Sequence, residues 1–193
     1  MKHLIIYTHP NPESLNGYFK NTLIAHLNHL GHEVVVRDLY DLNFNPVLSL
    51  EDLGGQLLGV VAADVQVEQE WIRWADRITF IYPIWWTGLP AMMKGYIDKV
   101  FSYGFAYSYT HGIQEGLLKG KEAVVINTHG KSNEEYQQNG LGNALSLTSD
   151  QGIFSYCGFE IIQHFFFGRA DRPEAGSNER WIEQIKSVYH AEI

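Results

Sequence analysis

The sequence predicts an α/β fold in which a sheet of five parallel strands is covered by helices on both faces. Three observations carry that expectation. Short runs rich in β-branched and aromatic residues alternate with segments of helical periodicity, the alternation that builds βαβ units. The run VVV within residues 32–39 is continuous in apolar residues rather than alternating with polar ones, as in a strand covered on both faces. The 193 residues suit a single domain over residues 1–193, and no linker, internal repeat or low-complexity stretch divides them.

Residues 2–8 (KHLIIYT) read as the first strand, and the loop HPNPESLN separates it from a helix over 17–30. That helix places Phe19, Leu23, Leu27 and Leu30 on one face and ends at Gly31, a C′ residue. Residues 32–39 (HEVVVRDL) give the second strand, joined to the first by a right-handed crossover. From 40 to 65, Pro46 and the pair Gly54-Gly55 indicate an irregular excursion with a short helix from Ser49. A helix over 66–75 leads to the third strand at 77–82. Pro90 suits the first turn of a helix reaching about Tyr103, with Met93, Ile97 and Val100 on one side. The fourth strand falls at 122–128, a helix at 141–156, the fifth strand at 159–167 and a closing helix at 177–192.

Composition narrows the function classes. An apolar fraction of 45% is that of a folded globular chain. The single cysteine, Cys157, cannot close an internal disulfide, and its apolar neighbours mark it as a packed residue. The opening MKHLIIYTHP has too short an apolar run for a secretory segment, and no stretch is long enough to span a membrane. A cytoplasmic location without membrane insertion is the expectation. A net charge of −8 argues against nucleic acid as a partner, because such binding rests on Lys and Arg neutralising phosphates. The acidity is local, however: residues 33–76 hold two basic and nine acidic side chains, whereas residues 1–32 hold two and one. His26, His29 and His32 invite a metal reading, but Gly31 ends the helix between the second and third and no carboxylate accompanies them; no metal is expected.

In an open parallel sheet, ligands bind beyond the carboxyl ends of the strands. Three loops matter there: His9–Asn16, Tyr82–Pro90 and Asn127–Tyr136. The first lacks GxxxxGK[ST] and GxGxxG, yet Ser14, Asn16 and the free N–H groups of a helix start make an anion site. In the second, the adjacent side chains of Trp85 and Trp86 diverge and cannot both face the core, and a flat heteroaromatic ligand would use at least one. The third offers Thr128, His129, Gly130 and Tyr136 at the same sheet edge.

Together the motifs H-P-x-P-x-S-x-N, Y-P-I-W-W-x-x-x-P-A-x-x-K-x-x-x-D-K-V-F, G-F-A-Y-S-Y and N-T-H-G, in this order, resemble those of the flavodoxin-like NAD(P)H:quinone oxidoreductases. That family includes the DT-diaphorase type, bacterial modulators of drug activity, general stress proteins and ancillary flavoproteins of potassium efflux. The resemblance implies a flavodoxin-like strand order 2-1-3-4-5 and a bound flavin, FMN in preference to FAD because the chain lacks the long C-terminal extension of the mammalian members, with FAD the alternative because some compact bacterial members use it. It implies that His9, Ser14, Leu15 and Asn16 surround the phosphate, that Pro83, Ile84, Trp85 and Trp86 line one edge of the ring system, and that Asn127, Thr128, Gly130 and Tyr136 surround its pyrimidine end. Tyr136 is the implied catalytic hydrogen-bond donor. The histidine that follows the corresponding tyrosine in mammalian members is missing from Tyr136-Gln137-Gln138-Asn139-Gly140, with His129 and Lys131 as candidates to replace it. Tyr107 and Tyr109 match aromatics that approach the substrate pocket of a homodimer. The implied activity is two-electron reduction of quinone-like acceptors by NADH or NADPH in a ping-pong cycle. A regulatory subunit of a potassium-efflux transporter and a flavodoxin-type electron carrier are the alternatives.

Overall fold

Strand β1 (Lys2–Tyr7) opens the chain's first βαβ unit, followed by helix α1 (Leu15–His29) and strand β2 (Glu33–Asp38). A computed structural model describes residues 1–190 of the chain. Then come α2 (Leu50–Leu57), α3 (Ala63–Trp74), β3 (Arg77–Pro83), α4 (Ala91–Val100), β4 (Tyr107–Thr110), β5 (Ile113–Gly116), β6 (Glu122–Thr128), α5 (Asn133–Gln138), α6 (Leu141–Ser146), β7 (Glu160–Phe167) and α7 (Ser177–Lys186). The main sheet runs β2-β1-β3-β6-β7, all parallel, which is the expected order with β6 and β7 as fourth and fifth strands.

Each face of the sheet has its own core. On one side Leu4, Ile6, Ile78, Phe80 and Val125 meet Ile72 of α3, Met93 and Tyr96 of α4 and Phe154. On the other, Ile5, Tyr7, Ile81, Val124 and Ile126 meet Phe19, Leu23 and Leu27 of α1 and Ile182 and Ile185 of α7. Each such side chain taken fully out of water stabilises the fold by about 1.5–3 kcal/mol. The run Val34-Val35-Val36 packs toward both cores, although β2 stands at the margin of the sheet and its valines stay half-buried.

Several boundaries depart from expectation. The first helix begins two residues earlier, at Leu15, because Ser14 caps it by accepting from Gly17 N. The helix expected at 66–75 begins at Ala63, and the one expected to reach Tyr103 stops at Val100. Residues 141–156 are not one α-helix: α6 passes into a wider π-helical winding over Leu147–Ser155, where the Thr148 and Ser149 hydroxyls donate to carbonyls of the preceding turn. The closing helix ends at Lys186, and the last part of its expected span, up to Glu192, lies outside the described residues. Two elements were not expected. The hairpin β4–β5 turns through His111 and Gly112, both at positive φ, and α5 begins on a capping box in which Ser132 and Glu135 bond each other's backbone.

Candidate functional site

The carboxyl ends of β1, β3, β6 and β7 open onto one groove of about 240 Å³. It gathers His9, Ser14, Leu15 and Asn16 after β1, Pro83, Ile84 and Trp85 after β3, and Thr128 and Gly130 after β6. It also takes in His129, the candidate from the third loop, and the structure adds Ala170 and Asp171.

The first wall is the start of α1. Ser14 Oγ accepts from Gly17 N at 3.2 Å, and Tyr7 Oη lies 3.4 Å from both Ser14 Oγ and the Asn11 carbonyl, tying the loop to the sheet. Gly17 lets the loop lie against the helix: a Cβ there would stand 2.0 Å from the Pro12 carbonyl oxygen. Asn16, buried at 2% exposure, bonds Thr128 Oγ1 at 2.8 Å through one end of its carboxamide, and the other end has no partner. Free N–H groups at the start of α1 and the positive end of its dipole face the same space.

The second wall is a tight turn. Trp85 and Gly88 exchange two backbone hydrogen bonds of 3.2 Å, and the two residues between them, Trp86 and Thr87, both adopt positive φ, 52° and 55°. That turn geometry suits Asn-Gly far better than Trp-Thr, so the backbone is strained at the rim of the groove. It turns Trp85 inward, its ring 5.8 Å from that of His9, and sends Trp86 out, fully exposed.

The third wall is the end of β6 and the loop beyond it. The Thr128 carbonyl accepts from Ile84 N at 2.8 Å, locking the second and third walls together. Gly130 lies against the Asp171 carboxylate, which would stand 3.6 Å from an added Cβ, an ordinary contact. The His129 ring packs at a tilt of 35° against that of Tyr136, 4.3 Å away, and bonds Asn133 Oδ1 at 3.0 Å; burial lowers its pKa and favours the neutral imidazole.

Five of the predicted residues do not reach this groove. Trp86 points away from it. Asn127 is buried on the opposite face of β6, where it donates to the Tyr82 carbonyl and accepts from His164, itself bonded to Asp150 at 2.7 Å. Tyr136 sits behind His129 on α5 and lines a separate cavity of about 470 Å³ along β7. Tyr107 and Tyr109 lie on β4, and Tyr109 Oη meets Tyr156 Oη at 2.8 Å. His129 was legible only as a candidate, and nothing in the local sequence singled out Ala170 and Asp171, which enter from the loop after the last strand. Among the described residues no group of three or more His, Cys, Asp or Glu side chains is placed to hold a metal ion, and no helix is long and apolar enough to cross a membrane.

The donor set fits a flavin mononucleotide. The helix start supplies N–H groups for a phosphate, Asn16 Oδ1 is a buried acceptor left without a donor, and Trp85 with Ile84 provides a flat apolar flank. Comparison with known proteins agrees. Residues 1–191 match the family described as having a flavodoxin-like fold. A Haemophilus influenzae protein described as an uncharacterized NAD(P)H oxidoreductase is 41% identical over all of this chain and 96% of its own length. Human ribosyldihydronicotinamide dehydrogenase (quinone) is 30% identical over 99% of this chain and 93% of its own. The solved NAD(P)H:quinone oxidoreductase of Methanothermobacter marburgensis superposes with a TM-score of 0.85 at 28% identity, covering 97% of this chain and 96% of that one. The chain therefore belongs to the flavodoxin-like family of NAD(P)H:quinone oxidoreductases.

Proposed function

We propose that the protein binds FMN in the groove at the carboxyl ends of β1, β3 and β6 and uses it to reduce quinone-like acceptors with NADH or NADPH. The observation that carries the reading is the unpartnered end of Asn16, buried in a groove whose first wall is a helix start. A bound flavin supplies the hydride chemistry: it accepts two electrons with one hydrogen from the nicotinamide and passes them to the acceptor from the same site.

The chain's own residues bind, orient and shield. The start of α1 holds the phosphate with N–H groups and the helix dipole, in the one segment of the chain with a positive charge balance. Pro83, Ile84 and Trp85 flank the ring system and exclude water from one side. Thr128 and Gly130 bound its other end, and Tyr136, expected as the hydrogen-bond donor, supports the His129 ring from behind. The exposed Trp86 and the separate position of Tyr107 and Tyr109 favour a homodimer, in which a second copy completes the acceptor pocket. A cytoplasmic location accords with this chemistry.

The test is the absorption spectrum of the purified protein, followed by mass identification of the released chromophore and anaerobic addition of NADH or NADPH. A yellow protein that releases FMN and is bleached by either nucleotide supports the reading. Protein that stays colourless after incubation with FMN and FAD, or a bound flavin that neither nucleotide bleaches, rejects it.

A further inference from the structure

A chain of polar side chains crosses the sheet one residue behind the groove. His164, on β7 with its side chain 6% exposed, has both ring nitrogens engaged at 2.7 Å, Nδ1 with Asp150 Oδ1 and Nε2 with Asn127 Oδ1. The other end of the Asn127 amide donates to the Tyr82 carbonyl at 3.1 Å. A carbonyl only accepts, so this amide has one orientation and its oxygen faces the imidazole. Nε2 therefore carries a hydrogen and donates it. Asp150, from the π-helical winding, holds the opposite nitrogen, whichever of the two carries the proton between them. The Phe166 ring stacks on the imidazole at 3.9 Å, so the ring is fixed in place as well as in tautomer.

What this chain joins is the row of residues just before the groove. Asn127 pairs with Tyr82 on β3 and with Phe166 on β7, and the next residues along, Thr128 and Pro83, line the groove. Thr128 in turn bonds Asn16 through its hydroxyl and Ile84 N through its carbonyl, at 2.8 Å each. The same face of the sheet is otherwise apolar, with Phe80, Val125 and Phe154, and a hydrophobic contact would serve stability there at least as well as a buried ionisable pair. A fully satisfied polar chain differs in admitting only one arrangement of the groups it connects. We propose that His164 is a positioning residue of the groove: by holding the Asn127 carboxamide against the Tyr82 carbonyl, it fixes the second wall relative to the third. Its bearing on the cofactor rests on the flavin reading above, whereas its hold on the two walls does not.

The test follows amide hydrogen exchange and FMN binding in the full-length protein stripped of chromophore. The reporting amide is that of Ile84, whose bond to the Thr128 carbonyl locks the two walls together. In His164→Leu, which cannot donate to Asn127, this amide is expected to exchange about 3- to 10-fold faster, the range for one neutral hydrogen bond, and FMN to bind weaker by a similar factor. His164→Gln, whose carboxamide nitrogen can occupy the Nε2 position, is expected to restore both. His164→Asn reaches toward Asp150 but not Asn127; it should behave as His164→Leu does, and it carries the test should His164→Leu not fold. Amides at the amino end of the sheet, such as Asp76 N bonded to the Lys2 carbonyl and Glu122 N bonded to the Asp76 carbonyl, are expected to keep their wild-type rates. Unchanged exchange at Ile84 in His164→Leu, equal acceleration at both ends of the sheet, or a His164→Gln protein as impaired as His164→Leu overturns the proposal. Faster exchange at Ile84 with unchanged FMN affinity overturns its bearing on the cofactor. A wild type that binds no FMN rejects the flavin reading instead, and the exchange comparison alone then decides whether His164 places the walls.

Discussion

The two ends of the sheet both bury polar side chains without partners, and they do so to different effect. At the carboxyl end, Asn16 and His129 keep unpaired atoms beside an open groove bounded by a helix start. At the amino end, His3 is 1% exposed with neither ring nitrogen bonded, packed at ring separations of 4.8 Å from His32 and 5.6 Å from Tyr189. Around it the chain is stapled shut: His32 bonds the N-terminal amine and the His190 carbonyl, Arg77 donates to the Val188 carbonyl at 2.6 Å, and Tyr189 Oη meets Thr79 Oγ1 at 2.7 Å. An unsatisfied buried atom marks a ligand site only where space adjoins it. Without that space it is a standing cost to the fold.

The largest expected effect breaks the closed end with acid. Burial, reinforced by the charges of His32, Arg77 and the N-terminus against a weaker opposing effect of Asp76, lowers the His3 pKa to about 3. The unfolded chain takes up the proton near 6.5, whereas the folded chain refuses it until far lower pH, so stability is complete above 6.5 and falls as pH drops through the window between those values. The limiting slope for one such group is about 1.4 kcal/mol per pH unit. Urea unfolding between pH 7 and pH 4.5 should show this slope in the wild type and its reduction in His3→Leu, which should also be more stable than the wild type at the acidic end. Parallel pH profiles for the two proteins would remove His3 as the cause.

At the open end the sharpest structural test is Gly17→Ala. The added methyl would meet the Pro12 carbonyl oxygen at 2.0 Å and its carbon at 2.9 Å, both backbone atoms, so the loop must leave the helix start. Such overpacking should cost about 1–3 kcal/mol of stability and displace the groups proposed to hold the phosphate. A variant that unfolds at the wild-type urea midpoint and binds FMN equally well would show that the loop and the helix start need not meet. Asn16→Leu is the mirror of His3→Leu. Here stability should stay within about 1 kcal/mol, because the lost bond to Thr128 is offset by removal of an unpaired atom, while FMN affinity should fall by about 3- to 10-fold. Unchanged FMN affinity would place the cofactor elsewhere.

The strands and the two-sided core were legible because continuous apolar runs admit few placements other than a covered parallel sheet. The loop chemistry was legible where a residue type answers a local need, as with Ser14 at a helix cap. Other features depend on distance rather than on pattern. The closeness of Gly17 to Pro12, and the arrival of Asp171 from the last loop, follow from how the elements pack and leave no trace in the neighbouring residues. Two elements did leave one. Ser132-x-x-Glu135 is a capping box at the head of α5, and His111-Gly112 sits between two short β-rich stretches as a hairpin turn. The placement of Tyr136 depended on the first of these: once residues 133–138 wind into a helix, the tyrosine lies behind His129 instead of in the groove.

The smallest expected change in stability tests whether the open end is built for a partner beyond the flavin. Sequence alone requires that Trp85 and Trp86 diverge, and the positive φ values at Trp86 and Thr87 decide which of them turns inward. A fully exposed indole buries nothing within the chain, and a left-handed backbone at that position disfavours any side chain. Trp86→Gly should therefore leave the unfolding midpoint equal to or above that of the wild type, with a change of no more than about 1 kcal/mol. FMN affinity should also be unchanged, because Trp86 lies outside the groove. Quinone reduction is the quantity expected to fall, through a raised KM for the acceptor, if the indole closes the acceptor pocket in the homodimer. A marked loss of stability would show that Trp86 is a structural residue held strained for the fold itself, and an unchanged KM would remove it from the acceptor pocket.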